Sequence, residues 1–301
     1  MSDTGRKPSP RVSDLIRQRI NEFSPSERRV ARSLLAGPPT VGLESTSRLA
    51  RRAGVSGPTV SRFVQRLGYE NYAAFQQAMH EDIAARVMSP VEVYRQHHVR
   101  PGSDDLLTET GSALSEAVVA TVQALSQVDF ERATALLSDN KRRVITVGGW
   151  FSHLLADYLA ALLREFRPGV RSIPPIASER ATTIADVAAK DVVVVFDFRR
   201  YERDNLSFAH SVRDAGARIV LFTDAWLSPV AEIASATLPA QVIGPSPFEI
   251  LTPTWALVET LMTSVANALG EAGQKRFEEF GAIADRWVRP WPVARPDFEQ
   301  P

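Results

Sequence analysis

The 301-residue sequence predicts two fold classes in one chain, an all-α head with a helix-turn-helix followed by an α/β body built on a doubly wound parallel sheet. Three observations predict it. Residues 45–67, STSRLARRAGVSGPTVSRFVQRL, put Leu49, Ala50 and Ala53 at helical spacing before Gly54, then Val60, Phe63, Val64 and Leu67 at steps of three and four. From Arg142 the rhythm changes to short apolar runs alternating with helical stretches, the signature of a parallel sheet covered on both faces. Charge divides the same way, since residues 1–89 hold 14 Lys and Arg against 8 Asp and Glu, and residues 90–301 hold 21 against 27. A basic head on an acidic body favours nucleic acid as the head's partner, because phosphate neutralisation supplies most non-specific DNA affinity.

In chain order, residues 1–10 (MSDTGRKPSP) read as a disordered arm, and Leu15, Ile16 and Ile20 face inward on a helix from about Val12 to Phe23. Ser24 and Glu27 have the spacing of a capping box with Pro25 at the first helical position, starting a helix that runs to about Ala36. In the helix-turn-helix, Gly54 supplies the positive φ of the turn, Val55 plugs the corner and Ser56 can cap the second helix, with Pro58 harmless in its first turn. Its other faces carry Thr59, Ser61, Arg62, Gln65 and Arg66, side chains able to reach phosphates and base edges. The DNA-binding candidates are therefore Ser56, Pro58, Thr59, Ser61, Arg62, Gln65 and Arg66. The alternative is a plain helical hairpin in an all-α domain. A further helix from Tyr72 to about Val87 closes a DNA-binding domain over 1–88.

Residues 89–103, with two prolines, read as a linker, and 104–286 as an effector-binding and dimerisation domain. A long helix from Asp104 to about Gln127 carries Leu106, Leu107, Leu114, Val118, Val122 and Leu125 on one side, to pack on the body or against a second copy. Strands are expected near 142–148, 170–173, 191–198, 218–223 and 236–239, with helices near 130–138, 150–166, 177–188, 202–215 and 253–269 between and after them. The tail 287–301, with four prolines, reads as irregular. Ligands are expected beyond the carboxyl ends of the strands.

The composition, 44% hydrophobic and 23% charged, is that of an ordinary globular protein without an apolar run long enough to span a membrane. The absence of cysteine excludes disulfides and thiolate chemistry, and the five scattered histidines lack metal-ligand spacing, so neither cofactor nor metal is expected. DNA binding implies a cytoplasmic protein.

Phe23-Ser24-Pro25-Ser26-Glu27-Arg28 with Val30-Ala31, Ser47-x-Leu49-Ala50, and Gly54-Val55-Ser56-x-x-Thr59-Val60-x-Arg62-Phe63-x-x-x-Leu67-Gly68-Tyr69 resemble the head of the RpiR (MurR/RpiR) family of bacterial transcriptional regulators. That family joins its head to a sugar isomerase (SIS) domain that binds phosphosugars. Asp191-Val-Val-Val-Val, Ala215-Gly216-Ala217 and Ser228-Pro229-Val230-Ala231 are similar to landmarks of that domain. The ligand loops depart from the pattern. Where the family has Gly-x-Gly-x-Ser, this chain has Gly148-Gly149-Trp150-Phe151-Ser152; where it has Ser-x-Ser-Gly-x-Thr, this chain has Asp197-Phe198-Arg199-Arg200-Tyr201-Glu202.

With the phosphate-binding hydroxyls gone, Asp197 and Glu202 would repel a phosphate, by about 1 kcal/mol at ~4 Å in water and about 4 at an effective dielectric of 20. Arg199 and Arg200 offer paired donors to another anion. Gly149, Trp150, Ser152, Asp197, Arg199, Arg200 and Tyr201 are thus the effector-site candidates, for a small anionic or polyhydroxylated metabolite, with Trp150 either a lid or filler. The alternative at 197–202 is a salt-bridge cluster filling a vacated pocket. As a whole the chain reads as a DNA-binding regulator of carbohydrate or small-metabolite catabolism, acting on a double-stranded operator as a homodimer or tetramer and not as an enzyme. A sugar-phosphate isomerase, for which His153, Glu179, Glu249 or Glu259 would be the base, and an effector-blind constitutive repressor are the competing readings.

Overall fold

The computed structural model describes residues 12, 15–16, 19–36, 44–87, 105–245 and 248–287. The expected disordered arm, the linker over 89–103 and the tail beyond Trp287 lie outside the described residues.

In the head, a 3-10 turn (Ile20–Glu22) precedes α1 (Pro25–Ala36). The capping box forms: Ser24 N–H donates to Glu27 Oε2 at 2.8 Å and Glu27 N–H to Ser24 Oγ at 3.3 Å, satisfying two donors that a helix start leaves open. α2 (Thr46–Ala53) is capped by Ser45 and stopped by Gly54, whose φ of 62° turns the chain sharply into α3 (Gly57–Arg66). α4 (Tyr72–Val87) completes the head. Leu49, Ala50, Ala53, Val60, Phe63 and Val64 are buried together with Phe23, Val30, Ala31 and Phe75, so the apolar spacing of α2 and α3 is their shared core.

The body begins with α5 (Leu106–Ala124) and α6 (Gln127–Ser138), then alternates β1 (Val144–Gly148), α7 (His153–Phe166), β2 (Val170–Ile173), α8 (Ala177–Asp186), β3 (Val192–Phe196), α9 (Arg203–Asp214), β4 (Arg218–Asp224), a 3-10 turn (Pro229–Glu232) and β5 (Ala236–Ala240), and ends with α10 (Thr252–Trp287). The five strands are parallel in the order β2-β1-β3-β4-β5. Their alternation sorts the core. Val144, Val192, Val194, Phe196, Val220 and Phe222 pack with α6, α7 and α10, while Ile145, Val147, Val193, Val195, Ile219 and Leu221 pack with α8 and α9 on the other face.

Strand order reverses between β1 and β3, so the chain leaves their carboxyl ends in opposite directions and opens a crevice there. Three local expectations change. α7 starts at His153 rather than Trp150, because residues 149–152 form a turn closed by the Ser152 hydroxyl. The last helix does not end at Leu269 but runs on to Trp287 through a break at Gly270 (φ 53°, ψ −137°), its second arm held by Phe277 stacking on Phe166 at 4.8 Å. And α5 buries Thr121, whose Oγ1 accepts Gln241 N–H, while Leu106, Leu107, Val119 and Val122 stay exposed.

Candidate nucleic-acid interface and effector site

On α3, burial of Val60, Phe63 and Val64 leaves Ser56, Pro58, Ser61, Arg62 and Gln65 exposed on the outer face, as the second helix of a groove reader requires. Two candidates sit differently. Thr59 is buried, its hydroxyl 2.9 Å from Ser56 Oγ, so Ser56 stands at the N-cap position but its side chain meets Thr59 instead of capping a backbone N–H as expected. Arg66 reaches back into the head: Nη1 pairs with Glu27 Oε2 at 3.0 Å and Nη2 donates to the Glu22 carbonyl at 3.0 Å. Burial by itself would raise the Glu27 carboxyl, but the Ser24 N–H and hydroxyl and the Arg66 guanidinium bring it below its ordinary value. Arg66 therefore ties the end of α3 to the capping box of α1, a role its spacing did not reveal.

At the switch point, three loops meet through side-chain hydrogen bonds. Ser152 Oγ accepts Gly149 N–H and donates to the Phe196 carbonyl, both at 2.8 Å, pinning the loop after β1 to the end of β3. Asp197 is buried. Its Oδ1 accepts the Glu202 N–H (3.3 Å) and Asn205 Nδ2 (2.9 Å), and its Oδ2 accepts the Ser228 hydroxyl. That carboxylate occupies the start of α9, where backbone N–H groups and the helix dipole favour an anion. Burial pushes its pKa up, although the Asn205, Ser228 and Glu202 hydrogen bonds act the other way. Glu202 Oε1 accepts the Trp150 N–H at 2.8 Å and lies against the bare Cα of Gly149, where a Cβ would come within 2.1 Å of it. Two of the chain's own carboxylates thus take the backbone donors that the first and second ligand loops present.

Arg199 and Tyr201 are also engaged. Arg199, its side chain 7% exposed, pairs with Glu249 Oε1 at 2.8 Å and lies 6.0 Å from the Trp226 ring. The Tyr201 hydroxyl donates to Asp224 Oδ1, which also accepts the Trp226 N–H. Arg200, at φ 69°, points outward from a left-handed turn and is exposed. Trp150 is neither filler nor a closed lid: it is 77% exposed and stacks on Phe151 at 5.2 Å. The cluster over 197–202 is held by hydrogen-bonded carboxylates, with one ion pair reaching out to Glu249.

Sequence reasoning missed Arg180, Asn205, Asp224 and Trp226. Arg180 is buried on α8, with Nη2 donating to Asn205 Oδ1 (2.6 Å) and to the Gly148 carbonyl (3.2 Å), so an Arg180–Asn205–Asp197 chain runs beneath the loops. Nothing in its spacing signals this. Three of the four candidate isomerase bases are engaged: His153 Nδ1 donates to the Trp150 carbonyl, Glu249 pairs with Arg199, and Glu259 accepts the Tyr158 hydroxyl, while Glu179 is exposed in the first turn of α8. A separate cavity of about 270 Å³, bordered by Arg143, Val170, Arg171 and Asp186, lies at the opposite edge of β1 and β2.

The family model described as the helix-turn-helix domain of the rpiR family matches residues 11–86, and that of the SIS domain matches residues 136–268. The chain belongs to the RpiR family. An uncharacterized HTH-type transcriptional regulator, YfhH of Escherichia coli (strain K12), is 28% identical over 213 residues, 69% of this chain and 73% of that protein. Among solved structures, the sugar isomerase domain of an RpiR transcription factor from Sphaerobacter thermophilus superposes with a TM-score of 0.56 at 22% identity, covering 60% of this chain and 99% of that one. The Vibrio vulnificus NanR protein complexed with ManNAc-6P gives 0.54 at 17% identity over 91% of this chain and 100% of that one. At these identities the structures establish the fold. Among the described residues no helix is long and apolar enough to cross a membrane.

Proposed function

We propose that this RpiR-family chain is a transcriptional regulator that binds a (pseudo)palindromic double-stranded DNA site through α3, and that its SIS body senses a small anionic or polyhydroxylated metabolite without catalysing a reaction. The observation that carries the DNA reading is the outer face of α3, where Ser56, Pro58, Ser61, Arg62 and Gln65 stand exposed on a head with 14 basic against 8 acidic residues. Two heads on one operator require a homodimer or tetramer. Exposed Leu107, Val119 and Val122 on α5, and Phe277, Phe280, Ile283 and Trp287 on the second arm of α10, are the apolar surface such an assembly would cover.

The absence of turnover is supported by the engagement of His153, Glu249 and Glu259 with other groups of the chain, since an isomerase needs a base free to face the substrate carbon. A phosphosugar in the ordinary pose is disfavoured, because Asp197 and Glu202 already hold the donors its phosphate would use. Selection of bound sequences from a random duplex pool by the full chain tests the reading. A palindromic consensus lost in Arg62→Ala supports it; no enrichment over non-specific binding at physiological salt overturns it.

A further inference from the structure

Glu202 and Arg180 approach the same short turn. Glu202 brings a carboxylate to the Trp150 N–H, and Arg180 brings a guanidinium to the carbonyl of Gly148 two residues earlier. The cradle fits a planar carboxylate closely, because it is floored by a glycine Cα: a methyl at position 149 would meet the Glu202 carboxylate first, its three nearest atoms all belonging to that group. Arg180, its guanidinium 5.8 Å from the Phe208 ring, supplies an independent sign of an anion site. It is 7% exposed, has no ion-pair partner among the described residues, and its Nη1 is enclosed without any hydrogen-bond partner. A buried cationic donor left open is costly, and it stands beside a loop whose other donor is capped by a side chain able to swing away.

We infer that Glu202 is a tethered pseudo-ligand, and that the effector of this site is a small organic carboxylate that displaces it from the Trp150 N–H and lies over Arg180. The inference deepens the effector reading above and rests on it for any link to DNA. Charge supports a carboxylate over a phosphate: a monoanion exchanges one for one with the departing Glu202, whereas a dianion would add charge beside buried Asp197. The stacked, exposed Trp150 and Phe151 stand at the mouth of the turn, where the body of such an acid would rest. An internal competitor acts at an effective concentration in the millimolar range or above, so a free acid without further contacts binds the intact chain weakly. Displacement releases the strut between the loop after β1 and the start of α9, which is the change the domain would report.

The test is full-length protein titrated with sodium acetate, sodium phosphate and sodium chloride at matched ionic strength, followed by calorimetry and by thermal melting. In Glu202→Ala the vacated cradle should bind acetate at least tenfold more tightly than wild type and recover melting temperature in a saturable way, with phosphate and chloride failing to do so. Adding Gly149→Ala to Glu202→Ala puts a methyl where the carboxylate sat and should abolish the gain. If acetate acts equally on wild type and Glu202→Ala, if phosphate substitutes for it, or if the second methyl makes no difference, the inference is wrong. Should Glu202→Ala not fold, Glu202→Gln, which keeps an acceptor for the Trp150 N–H but loses the charge, should still bind acetate more tightly than wild type; no gain there overturns the idea. DNA binding by the same samples separates the two readings, since acetate rescue without DNA affinity sinks the regulator reading alone, and DNA affinity without rescue sinks this inference alone.

Discussion

Arg62 and Arg66 lie one helical turn apart on α3, yet replacing each by alanine should give different phenotypes. Arg66 holds Glu27, whose side chain is 8% exposed, and the Glu22 carbonyl, while its own side chain is 47% exposed. A hydrogen bond to a charged group is worth about 1.5–3 kcal/mol, and an exposed ion pair about 0.2–1. Half-exposure of the cation places Arg66→Ala between them, at about 1–2 kcal/mol of head stability, since Glu27 keeps its Ser24 partners. Hydrogen exchange of full-length protein, read over residues 25–36 and 57–66, should then quicken by about 5- to 30-fold. Arg62, which approaches the Thr59 hydroxyl at 3.5 Å, should leave exchange unchanged when replaced, and Arg62→Ala should reduce operator affinity by about 1–3 kcal/mol if it reads a base, or flatten the salt dependence by about one unit of slope if it holds a phosphate. Glu27→Gln on both backgrounds completes the cycle, and its effect should shrink by about the Arg66 coupling. Unchanged exchange in Arg66→Ala, with DNA affinity falling as in Arg62→Ala, would refute the assignment of Arg66 to the tie between α3 and the capping box of α1.

Asp197→Asn should stabilise the body relative to wild type increasingly as pH rises. Because burial raises the Asp197 pKa in the fold, the folded chain holds that proton to higher pH than the unfolded one, so its contribution worsens from the ordinary Asp value up to the folded value and is constant above it. Urea unfolding followed by tryptophan fluorescence between about pH 4 and about pH 8 measures the difference, and a gap that closes with rising pH contradicts the argument. Glu27, held below its ordinary value, acts in the opposite direction: its contribution is present above the unfolded value and lost as pH falls through the folded one. Removal of the head and linker should leave a body, from about residue 104, that sediments as a dimer or larger at micromolar concentration; a monomer would count against the α5 and α10 surfaces as its interface.

The sequence by itself determined the element order, because it resides in local chemistry. Ser24 and Glu27 announced a capping box that forms, Gly54 a left-handed turn, and the β-branched run from Asp191 a strand buried on both faces. The core of the head was legible for the same reason, since helical period fixes which side chains of α2 and α3 face each other. The sequence also located the altered loops, showing that the hydroxyls of the resembled family were replaced by Asp197 and Glu202. Only the tertiary structure decided what those replacements do. Repulsion of a phosphate could be read from charge, but that the carboxylates themselves sit on the Trp150 N–H and at the start of α9 depends on strands 48 residues apart in sequence, Val144 and Val192, lying side by side. Arg66 and Arg180 show the same limit. The first has the position of a DNA contact and the second that of an ordinary helix residue, and their roles follow from partners 39 and 32 residues away in the chain. A long side chain on a helix can serve either of two environments, and the packing of the other elements selects which one it meets.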